Sequence, residues 1–303
     1  MFVRTATAST AAAALLGGGA LLLPVAPPQE TAVRPQVTAA RTPDRQVSPV
    51  VVAHRGASGY APENTLAAAD AAKALGIEWV ENDVHRTKDG VLVVLHDTDL
   101  KRTTNVEEVF PGRAPWAVKD FTAAEVAKLD AGSWFGKQFA GARVPTLTQF
   151  VNRLERNRQK LLLEIKSPAT YPGIERDILR VLGREGWLDR SHVRGRLVIQ
   201  SFGADSVKKV HALRPDITTG FLGTPAVADL PSYAAFTDQI NPSHTTIGAD
   251  YVAAVQRLKG PHGKRLRVNT WTVNDAANAA KVRGYGVDGI ITNYPDVVRD
   301  ATR

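Results

Sequence analysis

Two histidines, His54 and His96, each stand directly after a short apolar run, Val50–Ala53 and Val91–Leu95. Imidazole exchanges protons near neutral pH, so such a pair suits general acid and base work. Carboxylates supply the second element. In Glu81-Asn82-Asp83 the first and third side chains share one face of an extended chain. Glu164 closes another apolar run, Leu161–Ile165. Three carboxylates brought together repel one another unless a cation lies between them. An all-oxygen donor set favours one hard divalent ion, Ca²⁺ or Mg²⁺. The plainer alternative is that each acid simply pairs with Arg or Lys. Arg55 and Lys166 lie beside these groups, and arginine holds phosphate through two parallel hydrogen bonds. Cation, Arg55 and Lys166 together match the charge of a phosphodiester and its transition state; a carbohydrate would not need so many. Glu63 and Asn64 either orient an imidazole or approach the metal, although Asn64 also reads as a cap for a helix starting near Thr65. His85, His192, His211, His244 and His262 end no clear apolar run and read as structural.

Such residues act together only if the fold assembles them. Strand-like runs occur at Val50–Ala53, Trp79–Asp83, Val91–Leu95, Leu161–Ile165, Leu197–Gln200, Thr218–Leu222, Gln239–Asn241, Leu266–Trp271 and Gly289–Thr292. Helix-like stretches at Leu66–Leu75, Leu147–Arg158, Gly173–Glu185, Asp205–Leu213, Ala249–Leu258 and Asp275–Arg283 lie between most of them. Alternation of this kind predicts βα units on a parallel sheet, with strands buried on both faces. About eight such units favour an α/β TIM (β/α)8 barrel. A doubly wound open sheet is the alternative, but the glycine fingerprint of dinucleotide folds is missing after the first strand. In a barrel, parallel strand ends converge on one mouth. His54, Arg55, Glu81, Asp83, His96, Glu164, Lys166, Gln200, Trp271 and Asn293 all fall at such ends. Residues 98–146 break the rhythm and read as an insertion after the third strand, lying over the mouth. Its Trp116, Trp134 and Phe135 form either its own core or an apolar rim.

The 303 residues contain no cysteine, which excludes disulfides, thiolate metal sites and thiol nucleophiles. A formal charge of +8 steers anions, yet no basic run interleaves with aromatics, so nucleic acid is not an expected partner. Residues 1–26 pair Arg4 with a short, small-residue apolar stretch, the pattern of a signal peptide and hence of a secreted protein with no stable membrane span. An uncleaved anchor is the alternative. Residues 27–47, rich in Pro, Thr and Ala, read as a linker, and residues 48–303 as the folded domain.

Taken in order, His54-Arg55-Gly56, Pro62-Glu63-Asn64-Thr65, Glu81-Asn82-Asp83-Val84, Val94-Leu95-His96-Asp97, Glu164-Ile165-Lys166, Gln200-Ser201-Phe202, Trp271-Thr272-Val273-Asn274 and Asp288 through Pro295 make the chain resemble the glycerophosphodiester phosphodiesterase family over about residues 49–300. The resemblance implies a TIM barrel with an insertion after the third strand. It implies metal ligation by Glu81, Asp83 and Glu164, acid/base catalysis by His54 and His96, and phosphate contacts from Arg55 and Lys166. Glu63 falls in the same site, and Trp271 would shape the glycerol or alcohol pocket. The implied reaction turns a small-molecule glycerophosphodiester and water into glycerol 3-phosphate and an alcohol. Alternatives are phospholipase D-like cleavage of intact lipid headgroups, a non-catalytic secreted barrel, and an enzyme acting on polyglycerol-phosphate wall polymers.

Overall fold

The computed structural model describes residues 48–303. The signal-peptide and linker readings fall on residues outside that range. The aliphatic runs form β1 (Val50–Ala53), β2 (Trp79–Arg86), β3 (Leu92–Val94), β4 (Lys160–Ile165), β5 (Leu197–Ser201), β6 (Thr218–Leu222), β7 (Gln239–Asn241), β8 (Arg267–Thr270) and β9 (Gly289–Thr292). All but β3 pair in parallel, in the order β1-β9-β8-β7-β6-β5-β4-β2, and a β1–β2 pairing closes the ring. This is the eight-stranded TIM barrel, with helices on every crossover. The helices are α1 (Leu66–Ala74), α2 (Val106–Val109), α3 (Ala123–Val126), α4 (Leu147–Asn157), α5 (Ile174–Arg184), α6 (Arg190–Gly195), α7 (Ala204–Leu213), α8 (Leu230–Ala234), α9 (Ala249–Gln256), α10 (Ala276–Gly284) and α11 (Pro295–Ala301). The sequence periodicity does not reveal α6, α8 and α11, because each is only about two turns or less.

Local signals set the helix starts and faces. Thr146 caps α4, with Gln149 reaching back to complete a capping box. From there Leu147, Phe150, Val151 and Leu154 recur at helical spacing and are fully buried against the staves. Thr65, not Asn64, caps α1, which frees Asn64 for another task. Inside the barrel Val52, Leu162, Val198 and Ile291 pack into a plug beneath the mouth. Among the described residues no helix is long and apolar enough to cross a membrane.

The third strand is not a stave. β2 overshoots the sheet and turns back, so that β3 pairs antiparallel with its end, Val84 opposite Val94 and Arg86 opposite Leu92. The insertion thus follows the third strand in the chain, but this strand already belongs to the excursion between two neighbouring staves, β2 and β4. The excursion has its own core, built on Leu100, Val106, Val118, Phe121, Val126 and Leu129. Trp116 packs against that core, whereas Trp134 is 43% exposed and stacks edge-on with Phe135.

Candidate active site

Strand register builds the acidic centre. Asp83 and Glu164 are direct partners on the adjacent staves β2 and β4, and Glu81 stands two residues earlier on the same face. One carboxylate oxygen from each lies within 4.8 Å of the others, and all three residues are buried. One oxygen each of Glu81, Asp83 and Glu164 accepts no aligned hydrogen bond. For Asp83 and Glu164 the group facing it is the Lys166 ammonium, at 3.5 and 2.8 Å. Burial and the neighbouring Asp83 push the Glu164 carboxyl up to about 8. Burial, then Asp83 and Glu164, raise Glu81 well above the usual carboxylate range. Asp83 goes the other way. Burial opposes its charge, but Lys166, Arg55 and the Asn64 amide outweigh that and hold its pKa below the ordinary value. Buried, clustered, under-bonded oxygens of this kind fit a hard divalent cation.

Arg55 enters from β1. Its backbone is left-handed, with φ 56°, a conformation that costs a side-chain-bearing residue on the order of 1 kcal/mol. That twist points its N–H at Glu81 Oε2, 2.8 Å away. Gly56 follows at φ 80°, where a Cβ would lie 2.5 Å from the Ala68 methyl, so only glycine lets the turn seat on α1. Asn64, also left-handed at φ 60°, donates to Asp83 Oδ2 at 2.8 Å and accepts from the Asp83 N–H at 3.2 Å. Asn64 therefore locks a member of the acidic centre in place.

The two histidines face the same cleft with different backing. His54 Nδ1 lies 2.7 Å from the Asn293 side-chain oxygen. A carbonyl oxygen accepts, so Nδ1 carries the proton and Nε2 keeps its lone pair. Burial, reinforced by Arg55, lowers the His54 pKa to about 4, leaving the ring neutral at pH 7. His96 instead has a carboxylate behind it, Asp97 Oδ1 at 2.7 Å from Nδ1. His96 reaches the mouth because β3 returns to it, the Leu95 N–H bonding the Asp83 carbonyl. His85, fully buried, grips the His96 carbonyl through Nε2 at 3.0 Å while the Tyr171 hydroxyl meets its Nδ1 at 3.1 Å.

His54, Arg55, Glu81, His96, Glu164, Lys166 and Trp271 line a single open cleft. Gln200, Phe202 and Leu222 complete its less charged side. The Trp271 indole donates to the Asn241 carbonyl and meets Phe202 edge-on, and Phe202 is 52% exposed. Asp83 lies within the acidic cluster, and Glu63 stands behind Arg55, accepting from it at 2.9 Å. Sequence reasoning missed Asn64's grip on Asp83, His85 behind His96, and Arg102, which bonds both Glu63 and Asp97. Asn64 stands inside the Pro62–Thr65 motif and His85 directly follows the Glu81–Val84 motif, so both carried a signal; Arg102 sits in an aperiodic segment that carries none.

An α/β barrel whose mouth holds clustered carboxylates, flanking cations and two histidines belongs with the barrel phosphodiesterases in architecture. The chain is a member of the Glycerophosphoryl diester phosphodiesterase family, whose profile matches residues 54–297. It is 37% identical over 268 residues to the glycerophosphodiester phosphodiesterase of Bacillus subtilis, covering 84% of this chain and 86% of that one. A glycerophosphodiester phosphodiesterase of Caldanaerobacter subterraneus is 34% identical over 256 residues, covering 84% and 98%. Among solved structures, a phosphodiesterase of Oleispira antarctica in complex with the product sn-glycerol-3-phosphate superposes with a TM-score of 0.72 at 28% identity, covering 84% of this chain and 96% of that one.

Proposed function

We propose that this chain hydrolyses glycerophosphodiesters to glycerol 3-phosphate and an alcohol, using one divalent cation, Ca²⁺ or Mg²⁺. The observation that carries the reading is the meeting of three buried, clustered carboxylates, Arg55, Lys166 and two histidines at one cleft. Glu81, Asp83 and Glu164 would hold the cation, which supplies charge neutralisation to the phosphoryl oxygens when bound. Arg55 and Lys166 take the phosphate, and Glu63 aims Arg55 from behind. We give the two histidines different parts because their backing differs. Neutral His54, with Nδ1–H fixed on Asn293, offers Nε2 to the proton of the attacking oxygen. Asp97 behind His96 compensates the charge of an imidazolium, which suits His96 to deliver a proton to the departing alkoxide. Trp271 and Phe202 wall the side where the alcohol leaves.

The test is a panel of soluble glycerophosphodiesters with different alcohols, each with Ca²⁺, Mg²⁺ or chelator, with products identified. Glycerol 3-phosphate released only with a divalent cation is the expected result; turnover that survives chelation refutes the metal assignment. Exposed Phe202 at the rim and Trp134 on the insertion favour one second reading, action on lipid headgroups at a surface. Comparing liposomes with soluble glycerophosphocholine separates the two. We further propose that residues 1–26 direct export, which rests on their composition and is tested by the N-terminus of protein recovered from the medium.

A further inference from the structure

We infer that Arg102 is a positioning residue for this reaction, one guanidinium that sets both the proton-donating histidine and the phosphate-binding arginine. The inference rests on the function proposed above. Arg102 makes two forked contacts. Toward Asp97 its Nε donates to Oδ2 at 2.7 Å and its Nη2 to Oδ1 at 3.0 Å. Toward Glu63 its Nη1 donates to Oε2 at 2.9 Å and its Nη2 to Oε1 at 2.7 Å. Each carboxylate passes the constraint on. Asp97 Oδ1 lies 2.7 Å from His96 Nδ1, and Glu63 Oε1 accepts from Arg55 Nη1 at 2.9 Å. The result is an unbroken chain, His96–Asp97–Arg102–Glu63–Arg55, that ties a residue on the return hairpin to one at the end of β1.

The backbone presenting Arg102 is fixed rather than loose. Leu100 is fully buried in the core of the inserted segment, and its N–H bonds the Trp116 carbonyl at 3.0 Å. Thr103 and Thr104 are buried, and the Thr104 hydroxyl bonds the Leu100 carbonyl. The insertion therefore acquires a task at the mouth: it holds a planar fork between two carboxylates. Lysine, a single point charge, cannot serve both in this way.

A merely structural ion pair predicts something different. The Arg102 side chain is 45% exposed, and ion pairs that open to solvent contribute little to stability. A positioning role puts the loss in the rate. Arg102→Ala should lower kcat/KM by roughly 10- to 100-fold, the range for partners that orient an active group, with the melting temperature within about 4 °C of wild type. Both kcat and KM should move, since one arm serves His96 and the other Arg55. Millimolar guanidinium should restore activity to Arg102→Ala but not to His96→Ala. Arg102→Lys guards against misfolding of the alanine variant and should remain well below wild type.

Near-wild-type activity in either variant overturns the inference, and so does a loss that guanidinium does not restore. An active wild type with those outcomes leaves the proposed function standing. A wild type that cleaves no diester in the panel removes that function, and the inference with it.

Discussion

Cation binding at the acidic centre should expel protons, and the amount follows from the carboxyl environments. Without a cation, Glu164 holds its proton up to about 8, against an ordinary value of 4.5. Glu81 is shifted the same way by burial and by its two acidic neighbours. The sign follows from comparing folded and unfolded chains. A carboxyl whose folded pKa is raised favours folding below the unfolded pKa, and that contribution is lost as pH rises through the folded value. The cation-free protein should therefore lose stability between about pH 4.5 and 8, at no more than roughly 1.4 kcal/mol per pH unit for each such proton. A divalent ion needs deprotonated oxygens, so it reverses this trend. For Glu164 alone, apparent affinity should fall about tenfold per pH unit below pH 8, or roughly 100-fold by pH 6, and more steeply as Glu81 contributes. Isothermal titration with Ca²⁺ and Mg²⁺, repeated in buffers of different ionisation heat, counts the protons directly. At least about one proton released per cation near pH 7 is expected. Glu164→Gln should abolish the cation's effect while making the cation-free protein more stable than wild type above pH 8. An affinity that stays flat across this range, with no proton release, would refute the picture of a proton-loaded acidic cluster.

Other perturbations separate the remaining groups. His54→Ala and His96→Ala should each cost about 10²- to 10⁴-fold in kcat with an unchanged circular dichroism spectrum, the range for positioned acids and bases. Asp97→Asn keeps the volume but removes the charge behind His96; kcat should drop roughly 10- to 100-fold with little change in KM, read in steady-state kinetics. Phe202→Ala strips the exposed aromatic wall while leaving the charged side intact, so kcat/KM should shift unevenly across diesters with different alcohols. Phe150→Ala, fully buried between α4 and the staves, should cost about 3–5 kcal/mol in urea unfolding.

How much of this was legible in the sequence depended on how local each signal was. The staves are continuous aliphatic runs, and they lie within a few residues of where the hydrophobic pattern puts them. His54 and Arg55 follow from a strand end alone, whereas Glu81 lies inside β2, which runs on to Arg86. Val91–Leu95 read as a further barrel strand, yet it is the return arm of a hairpin, because apolar alternation does not distinguish a stave from an antiparallel partner. His96 still arrives at the mouth, for a different reason than strand direction suggests. Asn64 read either as a residue of the site or as a helix cap, since its type and place allow both; Thr65 takes the cap, and the left-handed backbone at Asn64 turns its amide onto Asp83. Arg102 left no trace because its partners, Glu63 and Asp97, are joined to it only by tertiary folding.

The two halves of the site thus rest on different kinds of order. Glu81, Asp83 and Glu164 depend on parallel register: slipping β2 by one residue against β4 would turn Glu81 and Asp83 to the outer face and leave Glu164 alone. Because both faces of the staves are buried, such a slip would also expel aliphatic side chains from two cores, so the acidic centre is protected by the packing of the whole barrel. His96 has no such protection. Its place depends on a three-residue strand, on the His85 ring holding its carbonyl, and on Asp97 and Arg102 behind its imidazole. Substitutions in the insertion core, such as Leu100→Ala, should therefore disturb turnover before they disturb cation binding, and titration of the same variant with Ca²⁺ alongside kinetics measures both. Loss of cation affinity in step with activity would show that the excursion and the barrel mouth form one cooperative unit instead.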